Sequence, residues 1–209
     1  DVYKRQVLGE TLITGIGQGY IQTTPLQLCM MTAQIANGGF AVKPKIIVDS
    51  NPISYEDAKQ SMESGLLFDT DSEELLDKKL FKNQRNIKIV QEAMFASTNE
   101  RFGTSYKSRI DDPKYQFAGK TGTAQVKRIS KRERELDLEL EQIPYKDRDH
   151  ALYVAYGPYV NPRYALSIIV EHGGSGSKAA APIAKKLFKL IIDRHDLRNK
   201  QSNFERITV

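Results

Sequence analysis

Phe117-Ala118-Gly119-Lys120-Thr121-Gly122-Thr123-Ala124-Gln125-Val126 decides how the rest of this chain is read. It sets one cation, two threonine hydroxyls and two glycines on what reads as a single strand over 115–126. Successive side chains on a strand alternate between its faces. Lys120 and Gly122 therefore fall on one side, Thr121 and Thr123 on the other. No single face can present all four, so any chemistry here belongs to the strand's edge, where an extended peptide can pair as an added strand. Gly122 would let that peptide's backbone approach closely. The two threonine hydroxyls can hydrogen-bond a carboxylate, and Lys120 would attract one. The bland alternative is an ordinary edge strand bent at its glycines.

Two further strands follow, over 151–159 and 164–171. Ala151-Leu-Tyr-Val-Ala-Tyr and Tyr164-Ala-Leu-Ser-Ile-Ile-Val are near-continuous apolar runs, the pattern of interior strands covered on both faces. The turn Gly157-Pro158-Tyr159-Val160-Asn161-Pro162 joins them as a hairpin. Thr24-Pro25-Leu26-Gln27 starts a helix, with Thr24 as cap, Pro25 at the first helical position and Gln27 closing a capping box. Leu28, Met31 and Ile35 recur at helical spacing, and Asn37-Gly38-Gly39 stops the helix. A second helix is predicted over 86–101, with Ile87, Val90 and Met94 on its apolar face. A closing helix over 182–194 carries Ile183, Leu187, Leu190 and Ile191 on one stripe. The fold class is thus α/β: an antiparallel meander of the three strands with helices on both faces.

The remaining stretches read as surface. Residues 40–48 form a short strand or arm interrupted by Pro44, and residues 49–80 are polar, acidic and weakly periodic. Residues 127–149 are dense in charge and read as a solvated surface loop, with room for a short helix around 132–142. The functional alternative for that loop is a lid over the strand before it.

The 209 residues suffice for one domain with a substantial core, and 40% hydrophobic with 27% charged residues is an ordinary globular balance. No apolar run approaches the ~20 residues of a membrane span. The chain begins at Asp1, and its start is expected upstream. Net charge is +5 with a pI near 9.1, but the basic residues are spread among acids without a nucleic-acid motif, so no nucleic acid is expected. The single cysteine, Cys29, excludes an internal disulfide and reads as a buried structural thiol of the first apolar helix. His150, His172 and His195 lack metal-ligand spacing, and His150 reads as tying down the charged loop. Gly15-Ile16-Gly17-Gln18-Gly19 lacks the sixth-position glycine and the preceding strand of a nucleotide loop, and reads as a tight turn.

Lys120-Thr121-Gly122 is one of the signatures of penicillin-binding proteins and serine β-lactamases. The longer Ala118-Gly119-Lys120-Thr121-Gly122-Thr123-Ala124-Gln125-Val126 resembles the third active-site motif of the high-molecular-mass transpeptidases. Gly15-Ile16-Gly17-Gln18-Gly19-Tyr20 with Thr24-Pro25-Leu26-Gln27-Leu28 is similar to the family's Gly-Gln-Gly turn and following helix. Arg148-Asp149-His150-Ala151-Leu152, Glu171-His172-Gly173-Gly174 and Ala180-Ala181-Pro182-Ile183-Ala184 resemble its closing segments, in the family's order. The chain is identified as a member of the class B peptidoglycan D,D-transpeptidases, the penicillin-binding protein 2 family.

The resemblance implies a penicillin-binding-protein/serine β-lactamase-like fold truncated at the N-terminus, its remaining strands lying upstream. It implies cross-linking of peptidoglycan stem peptides ending in D-Ala-D-Ala through an acyl-serine intermediate, with β-lactams as acylating inhibitors and without cofactor or metal. Lys120 and Thr123 are the implied catalytic residues, Thr123 giving its backbone N–H to the oxyanion hole, and Thr121, Gly122 and Thr123 the substrate-binding residues. Implied partners are a cell-elongation glycosyltransferase and rod-shape proteins. The whole protein would be held in the bacterial cytoplasmic membrane by an anchor absent from this chain, with this domain in the periplasm.

The family's nucleophile lies in a Ser-x-x-Lys and a second serine in a Ser-x-Asn, both ahead of Lys-Thr-Gly. Ser175-Gly176-Ser177-Lys178 has the first spacing but comes after the motif. Ser97-Thr98-Asn99 has the second but falls near a helix end, where its hydroxyls and amide are expected to be solvated. The nucleophile is therefore expected upstream. Residues 1–209 are read as the C-terminal part of one transpeptidase domain, inactive in isolation. A non-catalytic penicillin-sensing receptor domain, or a D,D-carboxypeptidase or β-lactamase, remain the alternatives.

Overall fold

The computed structural model describes residues 8–42 except 16, 18, 20 and 21, together with residue 44, residues 79–127 and residues 138–207. Among these, β1 (Ala118–Ala124), β2 (His150–Gly157) and β3 (Tyr164–Val170) form an antiparallel sheet in the order β1-β2-β3. The register places Thr121 opposite Tyr153 and Tyr153 opposite Ile168. The helices are α1 (Leu8–Gly15), α2 (Pro25–Ala36), α3 (Gln84–Asn99) and α4 (Ala181–Ile207). The α/β meander with helices on both faces is the architecture expected from the apolar runs.

Local chemistry sets the helix ends. The Thr24 hydroxyl accepts the Gln27 N–H at 3.2 Å while the Gln27 side chain accepts the Thr24 N–H at 2.8 Å, a complete capping box. Gly38 and Gly39 then take φ of +88° and +94°, a conformation open to glycine, and end α2. Asn83 caps α3, accepting from the Arg85 N–H, and the helix starts at Gln84, two residues earlier than predicted. Gln91 of α3 donates to the Ile35 carbonyl at 2.7 Å, which ties α3 to the end of α2.

Each sheet face has its own core. Ala151, Tyr153 and Ala155 of β2 pack with Phe117 against Ala181, Ala184, Phe188 and Ile192 of α4. Phe117 and Phe188 stack at 4.8 Å between centroids. On the opposite face Ala118 and Tyr156 meet Met94 of α3, with Ile35 and Ala36 of α2 beside them.

Three expected helix faces are corrected. On α4 the buried stripe is Ala181, Ala184, Phe188 and Ile192, whereas Ile183 and Leu190 are exposed by 40% and 67%. The helix is apolar on two sides, and the sheet takes the side whose alanines permit close approach. On α3 the buried positions are Ile87, Met94 and Thr98, and Val90 is exposed. On α2 Met31 is exposed while Thr32 is fully buried, its hydroxyl donating to the Leu28 carbonyl at 2.7 Å. The strands run shorter than predicted, since Tyr115 and Gln116 are held in turns by Asp112 and Pro113. A wide helical turn, Gly176–Ala180, leads into α4. Residues 49–78 of the predicted 49–80 excursion, most of the 40–48 arm and residues 128–137 of the charged loop lie outside the described residues. So do positions 16, 18 and 20 of the predicted Gly-Gln-Gly turn.

Candidate functional site

β1 pairs with β2 along one edge, and no other strand among the described residues pairs with its second edge. In an antiparallel ladder each residue turns its N–H and C=O to one edge, and its neighbours turn theirs to the other. Three carbonyls fix which residues face outward. Asn99 Nδ2 donates to the Phe117 oxygen at 2.9 Å, Thr98 Oγ1 to the Gly119 oxygen at 3.4 Å, and Lys120 Nζ to the Thr121 oxygen at 2.9 Å. By the same alternation Thr123 turns its backbone N–H and C=O to this edge. The last turn of α3 thus seals the first half of the edge, and the second half runs past it.

The seal is a buried hydroxyl network. Tyr153 Oη lies 2.9 Å from Thr98 Oγ1 and 3.1 Å from Ser105 Oγ. Ser105 Oγ in turn donates to the Ser97 carbonyl at 3.0 Å. Tyr153 belongs to the α4 side of the sheet and reaches α3 by passing over Gly119. A Cβ on Gly119 would stand 2.4 Å from that phenolic oxygen, so the glycine is required by the crossing. Burial pushes the Tyr153 phenol above its ordinary range, and its bonds to Ser105 and Thr98 oppose that shift. The phenol is neutral at ordinary pH and holds the network as donor and acceptor.

Lys120 and Gly122 share the face of Ala118, while Thr121 and Thr123 share that of Gly119. Lys120 and Thr123 are exposed and Thr121 and Gly122 half-buried. The Thr121 hydroxyl lies 3.2 Å from Thr104 Oγ1, which lies 3.3 Å from Ser97 Oγ. The strand can therefore offer a cation, an ordered row of hydroxyls and an unsealed backbone edge to an anionic, extended ligand.

Sequence reasoning placed Ser97-Thr98-Asn99 in solvent, and this is wrong: Thr98 is fully buried and Asn99 half-buried, both bonded to β1 carbonyls. It also missed Thr104, Ser105 and Tyr153. Hydroxyl residues directly after the helix stop, in Gly103-Thr104-Ser105, were the available signal. Ser175 precedes the wide turn before α4 and Lys178 lies within it, and the Ser175 hydroxyl pairs with that of Ser177 at 3.0 Å. Cys29 is half-buried, its thiol donates to the Ala165 carbonyl at 3.5 Å, and burial raises its pKa.

Two histidines bind backbone, while His195 meets the Tyr164 ring edge-on. His150 Nδ1 accepts the His172 N–H at 2.9 Å, and His172 Nδ1 lies 2.9 Å from the Arg148 carbonyl. Asp149 accepts the Val126 N–H at 3.1 Å, so Arg148-Asp149-His150 ties the end of the charged segment to the end of β1. Among the described residues no helix is long and apolar enough to cross a membrane, and no three His, Cys, Asp or Glu side chains cluster as a metal site.

A sheet flanked by helices, with Lys-Thr-Gly on an edge strand sealed only in its first half, defines a class. Residues 2–189 match the penicillin-binding protein transpeptidase domain, and the chain belongs to that family. The particular relatives are peptidoglycan D,D-transpeptidases named MrdA. That of Salmonella typhimurium is 31% identical over 185 residues, covering 88% of this chain. That of Haemophilus influenzae is 31% identical over 198 residues, covering 92%. The chain spans 27% of the length of each. Among solved structures, PBP2 of Pseudomonas aeruginosa in complex with WCK 5153 superposes with a TM-score of 0.62 at 34% identity. The alignment covers 87% of this chain and 33% of that one. PBP2 of Helicobacter pylori in complex with MreC gives 0.60 at 32% identity, over 87% of this chain and 28% of that one.

Proposed function

We propose that residues 1–209 are the C-terminal part of one peptidoglycan D,D-transpeptidase domain, the part that grips the donor stem peptide. The carrying observation is the half-sealed edge of β1, with Lys120, Thr121 and Thr123 on its open half. A stem peptide ending in D-Ala-D-Ala would lie along that half as an added strand. Lys120 and the hydroxyls of Thr121 and Thr123 would hold its terminal carboxylate, and Gly122 would let its backbone approach. A serine from outside these residues would attack the penultimate D-Ala carbonyl, expelling the last D-Ala and forming an acyl-serine. The Thr123 N–H would stabilise the oxyanion formed on the way. The amine of a second stem would then displace the serine. A β-lactam would enter as a mimic of the terminal dipeptide and remain on the serine. Without the serine, the isolated chain is inactive.

The MrdA relatives and the neighbour solved with MreC support an assignment to cell-wall elongation with a rod-shape protein as partner. A cell-elongation glycosyltransferase is the second proposed partner. The proposed location is the periplasmic side of the bacterial cytoplasmic membrane. The charged segment 127–149 is proposed as a surface loop of the domain.

Lys120→Ala in the full-length protein tests the reading. Lys120 is exposed, so little packing is lost, while the lost electrostatic contact should raise the acylation barrier by about 2.7–4 kcal/mol, or roughly 100- to 1000-fold in rate, as for an oxyanion donor. Lys120→Arg should recover only part, because a planar guanidinium does not replace a compact ammonium. The readout is labelling by a fluorescent penicillin beside a thermal melt. Normal labelling by a well-folded Lys120→Ala protein would sink the proposal. Release of D-Ala with cross-linking by the wild type separates it from a receptor domain, and cross-linking in excess of hydrolysis separates it from a carboxypeptidase or β-lactamase.

A further inference from the structure

Thr104 has no place in the motif, yet its hydroxyl is the only bridge, among the described residues, between the Thr121 hydroxyl and α3. It follows the end of α3 in a turn that is firmly anchored. The Ser105 N–H and hydroxyl both donate to the Ser97 carbonyl at 3.0 Å, Ser105 is 1% exposed, and Gly103 is pressed against the Ala96 and Ser97 carbonyls. Thr104 itself is exposed, so its position comes from that anchored backbone and not from burial of its side chain. Its Oγ1 stands 3.3 Å from Ser97 Oγ and 3.2 Å from Thr121 Oγ1.

We infer that Thr104 is a positioning residue for Thr121, aligning that hydroxyl to donate to a substrate carboxylate. This rests on the reading of β1 as the substrate edge. Each hydroxyl in the row has one proton. An anion in front of Thr121 accepts the hydrogen bond that this one proton can make. Thr121 can then accept from Thr104, and Thr104 from Ser97, so the three donate in one sense and polarise one another toward the anion. Without the Thr104 hydroxyl, Thr121 loses its acceptor-side partner and is free to turn away.

The experiment compares Thr104→Val, Thr104→Ser, Thr121→Val and the double Thr104→Val/Thr121→Val variant, all in the full-length protein. Acylation is measured with a penicillin as its free acid and as its methyl ester, beside thermal melts. A neutral hydrogen bond of ordinary net strength predicts that Thr104→Val slows acylation by the free acid about 2- to 10-fold. The ester should be affected less, Thr104→Ser should restore the rate, and the double variant should be no slower than Thr121→Val alone. If Thr104→Val acts equally on acid and ester, or adds in full to Thr121→Val, the residue is merely structural and the inference falls. If Thr121→Val slows the free acid and Thr104→Val does not, the inference falls while the substrate edge stands. If Thr121→Val has no effect either, the substrate edge itself is overturned. Should Thr104→Val melt well below the wild type, Thr104→Ala decides by the same comparison of acid and ester.

Discussion

Ala118 and Gly119 are buried beneath Met94 and Tyr153, while Lys120, the next residue along the same strand, is exposed. The two halves of β1 share a strand and a pairing partner and differ in what lies against their outer edge. The first half is covered by Thr98 and Asn99, and its glycine is filled by a tyrosine from the next strand. Among the described residues, the second half has only a lysine amine on the Thr121 carbonyl. Rigidity is thus built at one end of the strand and access at the other. Placing a chemical edge next to a fully bonded one lets a single strand be held to close tolerance and still receive a ligand.

Filling Gly119 is the strongest way to break that division. In Gly119→Ala the new methyl would sit 2.4 Å from the Tyr153 oxygen and 2.6 Å from its Cζ, so the ring must leave its place edge-on to Phe117. Overpacking of this kind costs about 1–3 kcal/mol. Thermal melts of the full-length protein should show the loss, and penicillin labelling should fall because the edge moves. An unchanged melting temperature would mean that the sealed half is not rigid.

Tyr153→Phe sharpens the comparison by leaving the ring and removing the hydroxyl. Thr98 and Ser105 would lose a shared partner inside the core, a cost of roughly 1–3 kcal/mol, and Lys120 and Thr123 would keep their surroundings. The expected result is a lower melting temperature with a labelling rate less affected than in Lys120→Ala. A larger loss of labelling than of stability would place the phenol in the chemistry instead.

The smallest effect concerns the surface beyond the strand. Lys114 lies 3.0 Å from both Asp193 and Asp196, and the carboxyl pKa values of both are lowered, chiefly by hydrogen bonds from Tyr115 and Lys114 at Asp193 and from Lys114 at Asp196. A carboxyl with a depressed folded pKa contributes stability above its unfolded value, near 3.9, and loses it as pH falls through the folded value. Lys114→Met should therefore reduce stability slightly near neutral pH and flatten the acid limb of the stability profile below about pH 4. Lys114 and Asp193 are exposed and Asp196 is partly so, and salt should weaken the difference. Parallel acid limbs for the two proteins would show that the triad contributes nothing.

Local signals were the legible ones. The capping box at Thr24, the glycine stop after Asn37 and the order of the three strands all depend on neighbours in the chain. What covers each surface was not legible. On α4 both Ile183-Leu187-Leu190-Ile191 and Ala181-Ala184-Phe188-Ile192 satisfy a helical period, and only the sheet chooses between them. The seal on β1 joins Thr98 to Tyr153, fifty-five positions apart, and hinges on a glycine whose use is visible only once the tyrosine is placed. The residues of Lys120-Thr121-Gly122-Thr123 could be named from the sequence, but not the side chains that hold them.

An unpaired strand edge is a template for any other chain that meets it, and proteins that leave one long and flat tend to aggregate. Here side chains occupy the outer carbonyls as far as Thr121, with a charged lysine amine as the last of them. Beyond that point only Gly122, Thr123 and Ala124 remain of the strand, too short a run to nucleate a growing sheet. The boundary between the two halves of β1 therefore also limits self-association. Moving it toward the N-terminus, as Thr98→Val or Asn99→Leu would, lengthens the exposed ladder and should show as aggregation before it shows as lost fold.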